Sequence, residues 1–204
     1  MFSGKKVLIL IAHPDDEIIF CWPIFQDKTI EKTILTVSSD IYNPDFDSNR
    51  LIPLKFICDS NGIKLISLNY ESDFYRTEGW VKTLYKQLHY LVRKKLNELD
   101  YDYIMTHNPY GEYGHPDHIL CFNLALLYSK SPVLYTDIIS PNPENWGYVE
   151  PNKNYDKLYY NYKFKVSNYE LDQDFYFFCR NEYIKNGSWT WGFDSIKNCN
   201  LYKI

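Results

Sequence analysis

The stretch Lys5-Lys6-Val7-Leu8-Ile9-Leu10-Ile11-Ala12-His13-Pro14-Asp15-Asp16-Glu17 decides how this chain reads. Lys5 to Ala12 is nearly continuous in apolar, partly β-branched residues, the signature of a strand buried on both faces. Proline has no N–H to give to a ladder, so Pro14 ends the strand near His13. Asp15, Asp16 and Glu17 then fall where a helix begins, and acidic groups there oppose the positive end of the helix dipole. Glu17 reads best as an ordinary capping acid of that start.

Outward from this stretch the same alternation recurs. Strands are expected over Thr33–Ser39, Ile63–Leu68, Tyr101–Thr106 and Pro132–Ile138, and helices over Arg50–Asn61, Glu78–Leu99 and Pro116–Tyr128. Asn61-Gly62 supplies a left-handed stop, and Pro116 sits in the first helical turn, where proline is favoured. His107–Gly114, rich in Gly, Pro and Asn, reads as a loop. The alternation predicts an α/β fold: a Rossmann-like, mainly parallel sheet flanked by helices on both faces. After residue 140 the pattern weakens to a less regular, aromatic-rich part. Ser140–Pro151 reads as a loop, Lys157–Val166 as an exposed or edge strand, Leu171–Ile184 as a helix and Gly187–Gly192 as a turn carrying two indoles. No repeat or linker interrupts the chain. One domain over residues 1–204 is expected, with a core of about 1–140 and an elaboration over 141–204.

Composition narrows the function. The 204 residues suffice for one domain with a substantial core, and a net charge of -4 argues against a basic nucleic-acid footprint. No apolar run approaches the roughly 20 residues of a membrane span, and Val7–Ala12 is too short for a signal-peptide core. Five scattered cysteines with no CxxC pair argue against a disulfide framework and for a reducing, cytoplasmic setting. A homo-oligomer is compatible with all of this.

A second polar cluster, Gly114-His115-Pro116-Asp117-His118, follows a later strand. Parallel sheets bind ligands at the carboxyl ends of their strands, so both clusters are expected to open into one crevice. His13 and Asp16, three apart across a strand-to-helix turn, can point at one ion, and His118 can add a third ligand. Hydrolytic zinc sites use such a set with an open position for water. Asp15 adjoins a ligand without being one, which suits a general base. His115 can stabilise an oxyanion or protonate a leaving amine, and Asp117 can hydrogen-bond that imidazole and favour its charged form. Two histidines and a carboxylate also serve non-haem iron, so Fe2+ fits the same set. The extra acid–base pair favours hydrolysis.

Ala12-His13-Pro14-Asp15-Asp16-Glu17 after an apolar strand, paired with Gly114-His115-Pro116-Asp117-His118, resembles the LmbE-like (PIG-L) superfamily of zinc-dependent N-acetylglucosaminyl deacetylases. The resemblance covers roughly the first 140 residues. It implies His13, Asp16 and His118 as zinc ligands, Asp15 as the base that activates water, His115 as oxyanion stabiliser or acid, and Asp117 as the residue that tunes His115. It also implies substrate contacts for Arg50, which opens the helix after the second strand, and for Tyr113 beside the oxyanion. The implied activity is removal of an N-acetyl or similar small acyl group from an amino-sugar or glycoconjugate substrate. Two departures bear on the substrate. Ile18-Ile19-Phe20-Cys21-Trp22-Pro23 stands where the family carries small, glycine-rich residues, and Ser38-Ser39-Asp40 replaces a Thr-x-Gly-like turn. Trp146, Trp189 and Trp191 can stack on sugar rings, although core or oligomer packing accounts for them better. Two rivals stay open. One is hydrolysis of a different amide, such as a thiol conjugate or antibiotic precursor. The other is a non-enzymatic carbohydrate- or nucleotide-binding protein, against which the intact Asp15 and His115 speak.

Overall fold

Strand β1 (Lys6–Ile11) is the third of seven in one sheet, within a computed structural model that describes residues 1–38, 50–70, 82–138, 164–189 and 197–204. After β1 come α1 (Asp16–Ile19), α2 (Trp22–Phe25), β2 (Glu31–Ser38), α3 (Leu51–Ser60), β3 (Lys64–Tyr70) and α4 (Lys82–Glu98). Next are β4 (Tyr103–Thr106), α5 (Gly111–Gly114), α6 (Pro116–Tyr128) and β5 (Val133–Thr136), then β6 (Phe164–Glu170), α7 (Gln173–Lys185) and β7 (Asn198–Lys203). The sheet order is β3-β2-β1-β4-β5-β7-β6. The first five strands are parallel, and β7 pairs antiparallel with both β5 and β6. The architecture is therefore the α/β, mainly parallel one expected from the sequence.

The run of β1 is apolar throughout because both faces of the strand are covered. Val7, Ile9 and Ile11 pack with Ile18, Phe20, Trp22, Leu54, Ile57 and Tyr183 on one side. Leu8, Leu10 and Ala12 pack with Leu88 and Val92 of α4 and with Leu120 and Leu124 of α6 on the other. Each such aliphatic side chain contributes roughly 1.5–3 kcal/mol by leaving water. The chain runs outward from β1 through β2 to β3, then crosses back to β4 on the opposite side of β1. That reversal makes β1/β4 the topological switch point, where a crevice opens at the carboxyl ends. The register pairs Leu10 with Thr106, so Ala12-His13 and His107 leave neighbouring strand ends together.

Several elements differ from the expectation in detail. The bulky Ile18–Pro23 segment breaks the first helix in two: α1 is a single turn, the chain bends at Phe20-Cys21, and α2 restarts with Pro23 in its first turn. Its residues are buried, filling the space between the sheet and α7. The His107–Gly114 loop contains the one-turn α5, whose interior residues Glu112 and Tyr113 have non-helical backbone angles. Only the last three residues of the anticipated Lys157–Val166 strand fall in β6, which is one of the two edge strands; 157–163 lie outside the described residues. Strand β7 was not anticipated. Ser39, residues 78–81, Ser140–Pro151 with Trp146, and Trp191 lie outside the described residues. Trp189 packs beside Tyr176 and Tyr183, with the Arg180 guanidinium 5.7 Å from its ring. The five cysteines are buried free thiols, and among the described residues no helix is long and apolar enough to cross a membrane.

Candidate metal centre

The end of β1 turns sharply at His13-Pro14-Asp15. Asp15 has φ 101°, a left-handed conformation that an L-residue other than glycine adopts at a cost of roughly 1–3 kcal/mol. Its surroundings fix it there. The Asp15 N–H donates to Glu17 Oε2 at 2.9 Å, and the Tyr183 hydroxyl, from α7, donates to Glu17 Oε1 at 2.7 Å. Glu17 thus does cap its helix start, as expected, and it also links the turn to a helix 166 residues away. Burial is the main cause that pushes its carboxyl up to about 8, with the Asp15 charge adding to it and the Tyr183 hydrogen bond opposing.

The same turn aims Asp16 back at His13, whose N–H donates to Asp16 Oδ2 at 2.7 Å. Across the switch point, α6 carries His118 into the crevice. His13 Nδ1 and His118 Nε2 lie 3.3 Å apart. His13 Nδ1 is 3.4 Å from Asp16 Oδ2, and His118 Nε2 is 3.5 Å from Asp16 Oδ1. Bonds of about 2.0–2.2 Å from a tetrahedral ion place neighbouring ligand atoms about 3.3–3.6 Å apart, so this triangle fits a zinc-sized cation. The donor chemistry agrees. His13 has Asp117 Oδ2 3.0 Å from Nε2, and His118 has Glu112 Oε2 2.8 Å from Nδ1. With N–H groups directed at those carboxylates, the two nitrogens facing each other carry lone pairs, an unfavourable pairing unless a positive charge lies between them. Burial opposes a charge on His13, but Asp117 and Asp16 outweigh it and lift its pKa to about 10, so a proton serves that need when no cation does. Burial, reinforced by His107, pushes His118 down to about 3 and keeps it neutral.

Two other groupings bring metal-capable atoms together, His13-His115-Asp117 and His107-Glu112-His118. In the first, Asp117 faces His13 at 3.0 Å, and in the second Glu112 faces His118 and His107 at 2.8 and 3.0 Å, hydrogen-bond distances shorter than the spacing of ligand atoms around one ion. Each expected site residue has a definite place. Asp15 Oδ2 accepts from the Arg50 guanidinium at 3.1 Å, so Arg50 reaches Asp15 itself. His115 caps α6, its Nδ1 accepting the Asp117 N–H at 3.2 Å, and its ring stacks on His118 with centroids 4.6 Å apart. Asp117 was expected to favour the charged form of His115; instead its backbone N–H occupies the His115 Nδ1 lone pair, and its carboxylate faces His13, a contact not read from the sequence. The Tyr113 ring stands edge-on to His118 and His115, at 5.3 and 5.6 Å. Burial, with Asp16 and Asp15 nearby, raises its pKa well above the usual value and keeps its O–H a neutral donor.

Sequence reasoning missed His107 and Glu112, both wholly buried. His107 Nε2 accepts the Ala12 N–H at 3.0 Å, and its Nδ1 faces Glu112 Oε2 at 3.0 Å. Burial opposes a charge on His107 while Glu112 and Asp16 pull its pKa upward; the Ala12 N–H directed at Nε2 opposes that pull and keeps this nitrogen an acceptor. The available signal was position: His107 follows β4 at the switch point, as His13 follows β1.

No protein-family model matches the chain. Uncharacterized protein L374 of Acanthamoeba polyphaga mimivirus is 33% identical over 153 residues, 68% of this chain and 64% of that protein, so the chain spans less than two thirds of its relative's length. Among solved structures, the A40926 pseudoaglycone deacetylase Dbv21 superposes with a TM-score of 0.64 at 14% identity, covering 98% of this chain and 97% of its own. A deacetylase of the teicoplanin pathway, solved with teicoplanin, gives 0.63 at 14% identity, covering 98% of each chain. GalB, a 4-carboxy-2-hydroxymuconate hydratase from Pseudomonas putida KT2440, gives 0.55 at 10% identity, covering 98% and 96%. The chain shares the fold of these two deacetylases. The likeness extends over the C-terminal part, where the sequence resemblance fades. Because a hydratase shares the architecture, the reaction has to be argued from the site.

Proposed function

We propose that this chain is a metal-dependent hydrolase that removes an N-acetyl or similar small acyl group from an amide nitrogen of a sugar-containing substrate. The observation that carries the reading is the triangle of His13, Asp16 and His118, with edges of 3.3–3.5 Å and Asp15 beside it but engaged elsewhere. Zn2+ suits this donor set, and Fe2+ is compatible with it. A divalent cation held there supplies Lewis acidity, which lowers the pKa of water and polarises the amide carbonyl.

The rest of the reaction falls to the chain's own groups. Asp15 accepts a proton from the attacking water, its carboxylate oriented by Arg50 and its strained backbone held by Glu17. His115 has its Nδ1 committed to the Asp117 N–H, so its Nε2–H is the donor that meets the developing oxyanion or passes a proton to the departing amine. The neutral Tyr113 hydroxyl is a second donor for the same charge. Arg50, paired with Asp15, also stands where it can bind a polar substrate group. Water adds to the carbonyl carbon, the C–N bond breaks, and the free amine and the carboxylic acid leave.

The fold likeness to two deacetylases acting in antimicrobial and teicoplanin chemistry supports an acylated, sugar-bearing small molecule as substrate, handled by residues 1–204 as one domain. The five buried free cysteines fit a reducing, cytoplasmic setting. The test is elemental analysis of the purified chain joined to an acyl-release screen over N-acylated amino sugars, glycoconjugates, thiol conjugates and antibiotic precursors. Stoichiometric zinc with amine release from the amino sugars is expected. Release from thiol conjugates alone would move the substrate class, and stoichiometric zinc without any product would leave a binding protein instead.

A further inference from the structure

Glu112 is a wholly buried glutamate on a left-handed backbone, φ 58°, inside a helical turn that its own conformation interrupts. The preceding Gly111 also has positive φ, and a Cβ there would stand 2.9 Å from Ile119 Cγ1. Strain of this kind persists only where the surroundings fix it, and it points to a purpose for the side chain. That side chain is shared. Oε2 lies 2.8 Å from His118 Nδ1 and 3.0 Å from His107 Nδ1, while Oε1 accepts the Asn108 N–H at 2.8 Å. The Glu112 N–H returns to Asn108 Oδ1 at 3.1 Å.

An ionised carboxylate only accepts, so each Nδ1 facing Oε2 carries the proton and each Nε2 is left with its lone pair. For His118 that lone pair faces His13 and Asp16 at the candidate ligand spacing. For His107 it takes the Ala12 N–H and ties the β4 segment to the end of β1. We propose that Glu112 is a positioning residue for the metal centre: one carboxylate sets the tautomers of two imidazoles, so that His118 offers Nε2 to the cation while His107 holds the two halves of the site together. The proposal rests on the reading that His13, Asp16 and His118 bind a divalent cation.

The near-isosteric variant Glu112→Gln tests it. A glutamine has one acceptor oxygen and an NH2 group, so in either orientation a donor meets a donor, at Asn108 or at the two imidazoles. Zinc affinity, read by competition with a chromophoric chelator, should fall about 10- to 100-fold while far-UV circular dichroism stays unchanged. Long-range proton–nitrogen NMR correlations of the metal-free wild-type chain should show His107 and His118 protonated at Nδ1, a readout independent of any variant's folding. In Glu112→Gln the His118 signal should move toward the Nε2–H form. Wild-type His118 protonated at Nε2, or wild-type-like zinc affinity in Glu112→Gln, would overturn the proposal alone. A wild-type chain that takes up no zinc would overturn the cation reading and the proposal with it.

Discussion

The turn after β1 and the segment after β4 face each other across the switch point but organise their groups differently. The first is local. His13, Asp15, Asp16 and Glu17 lie within five residues, and their hydrogen bonds close over two or three positions, His13 to Asp16 and Asp15 to Glu17. The second is spread out. From His107 to His118 it needs Asn108 and Glu112 to hold two imidazoles, and its candidate ligand arrives in the first turn of α6 rather than directly after the strand. A short turn can place a carboxylate and an imidazole on one ion by backbone geometry alone. A longer segment needs side chains to restrain it, because each extra ordered residue costs roughly 1–2 kcal/mol of backbone entropy.

The contrast can be broken by removing one proposed ligand from each side. His13→Ala and His118→Ala should each lose stoichiometric metal and reduce turnover to background, read by elemental analysis and acyl release. Retention of metal by either variant would mean that the two segments do not share one ion. Next in size, Asp15→Asn keeps the left-handed backbone, which asparagine tolerates, and removes only the proposed base. Turnover should fall about 10²- to 10⁴-fold with metal content unchanged. Simultaneous loss of metal would instead make Asp15 part of the ligand set.

Asp117→Asn sharpens the comparison, because Asp117 belongs to the second segment yet its carboxylate faces His13, a proposed ligand of the first. Metal affinity should drop about 10- to 100-fold, as for other carboxylates behind a ligating histidine. An unchanged affinity would confine Asp117 to capping α6. The smallest effect is expected for Tyr183→Phe, which removes the O–H donor on Glu17. Loss of one hydrogen bond costs about 1 kcal/mol, or about 2–4 °C in Tm for a chain of this size. Thermal denaturation measures that loss. A fall in kcat without a change in metal affinity would show that α7 steadies Asp15; unchanged kcat would leave the link purely structural.

What was legible in the sequence follows the same division. The parallel strands showed through because burial on both faces makes runs such as Val7–Ala12 continuous. His13, Asp15 and Asp16 showed through because their relation is local, and His115, Asp117 and His118 because they form a compact motif. Glu112 and His107 did not, since their meaning lies in partners assembled by the fold: the Ala12 N–H is 95 residues from His107. Glu17 was legible as a cap and illegible as the partner of Tyr183. Arg50 was expected to reach a substrate group, and it contacts Asp15, which spacing could not reveal. Strand β7 escaped because Asn198-Cys199-Asn200-Leu201 has weak strand propensity, and pairing on both sides overrides it.

The position of β7 also constrains how the molecule is made. It is the latest strand in sequence, yet it lies between β5 and β6. During synthesis β5 must therefore wait with an open edge, and β6 without a neighbour, until β7 has left the ribosome. Nascent chains stalled before that point would present a bare, sticky border suited to capture by chaperones or to self-association.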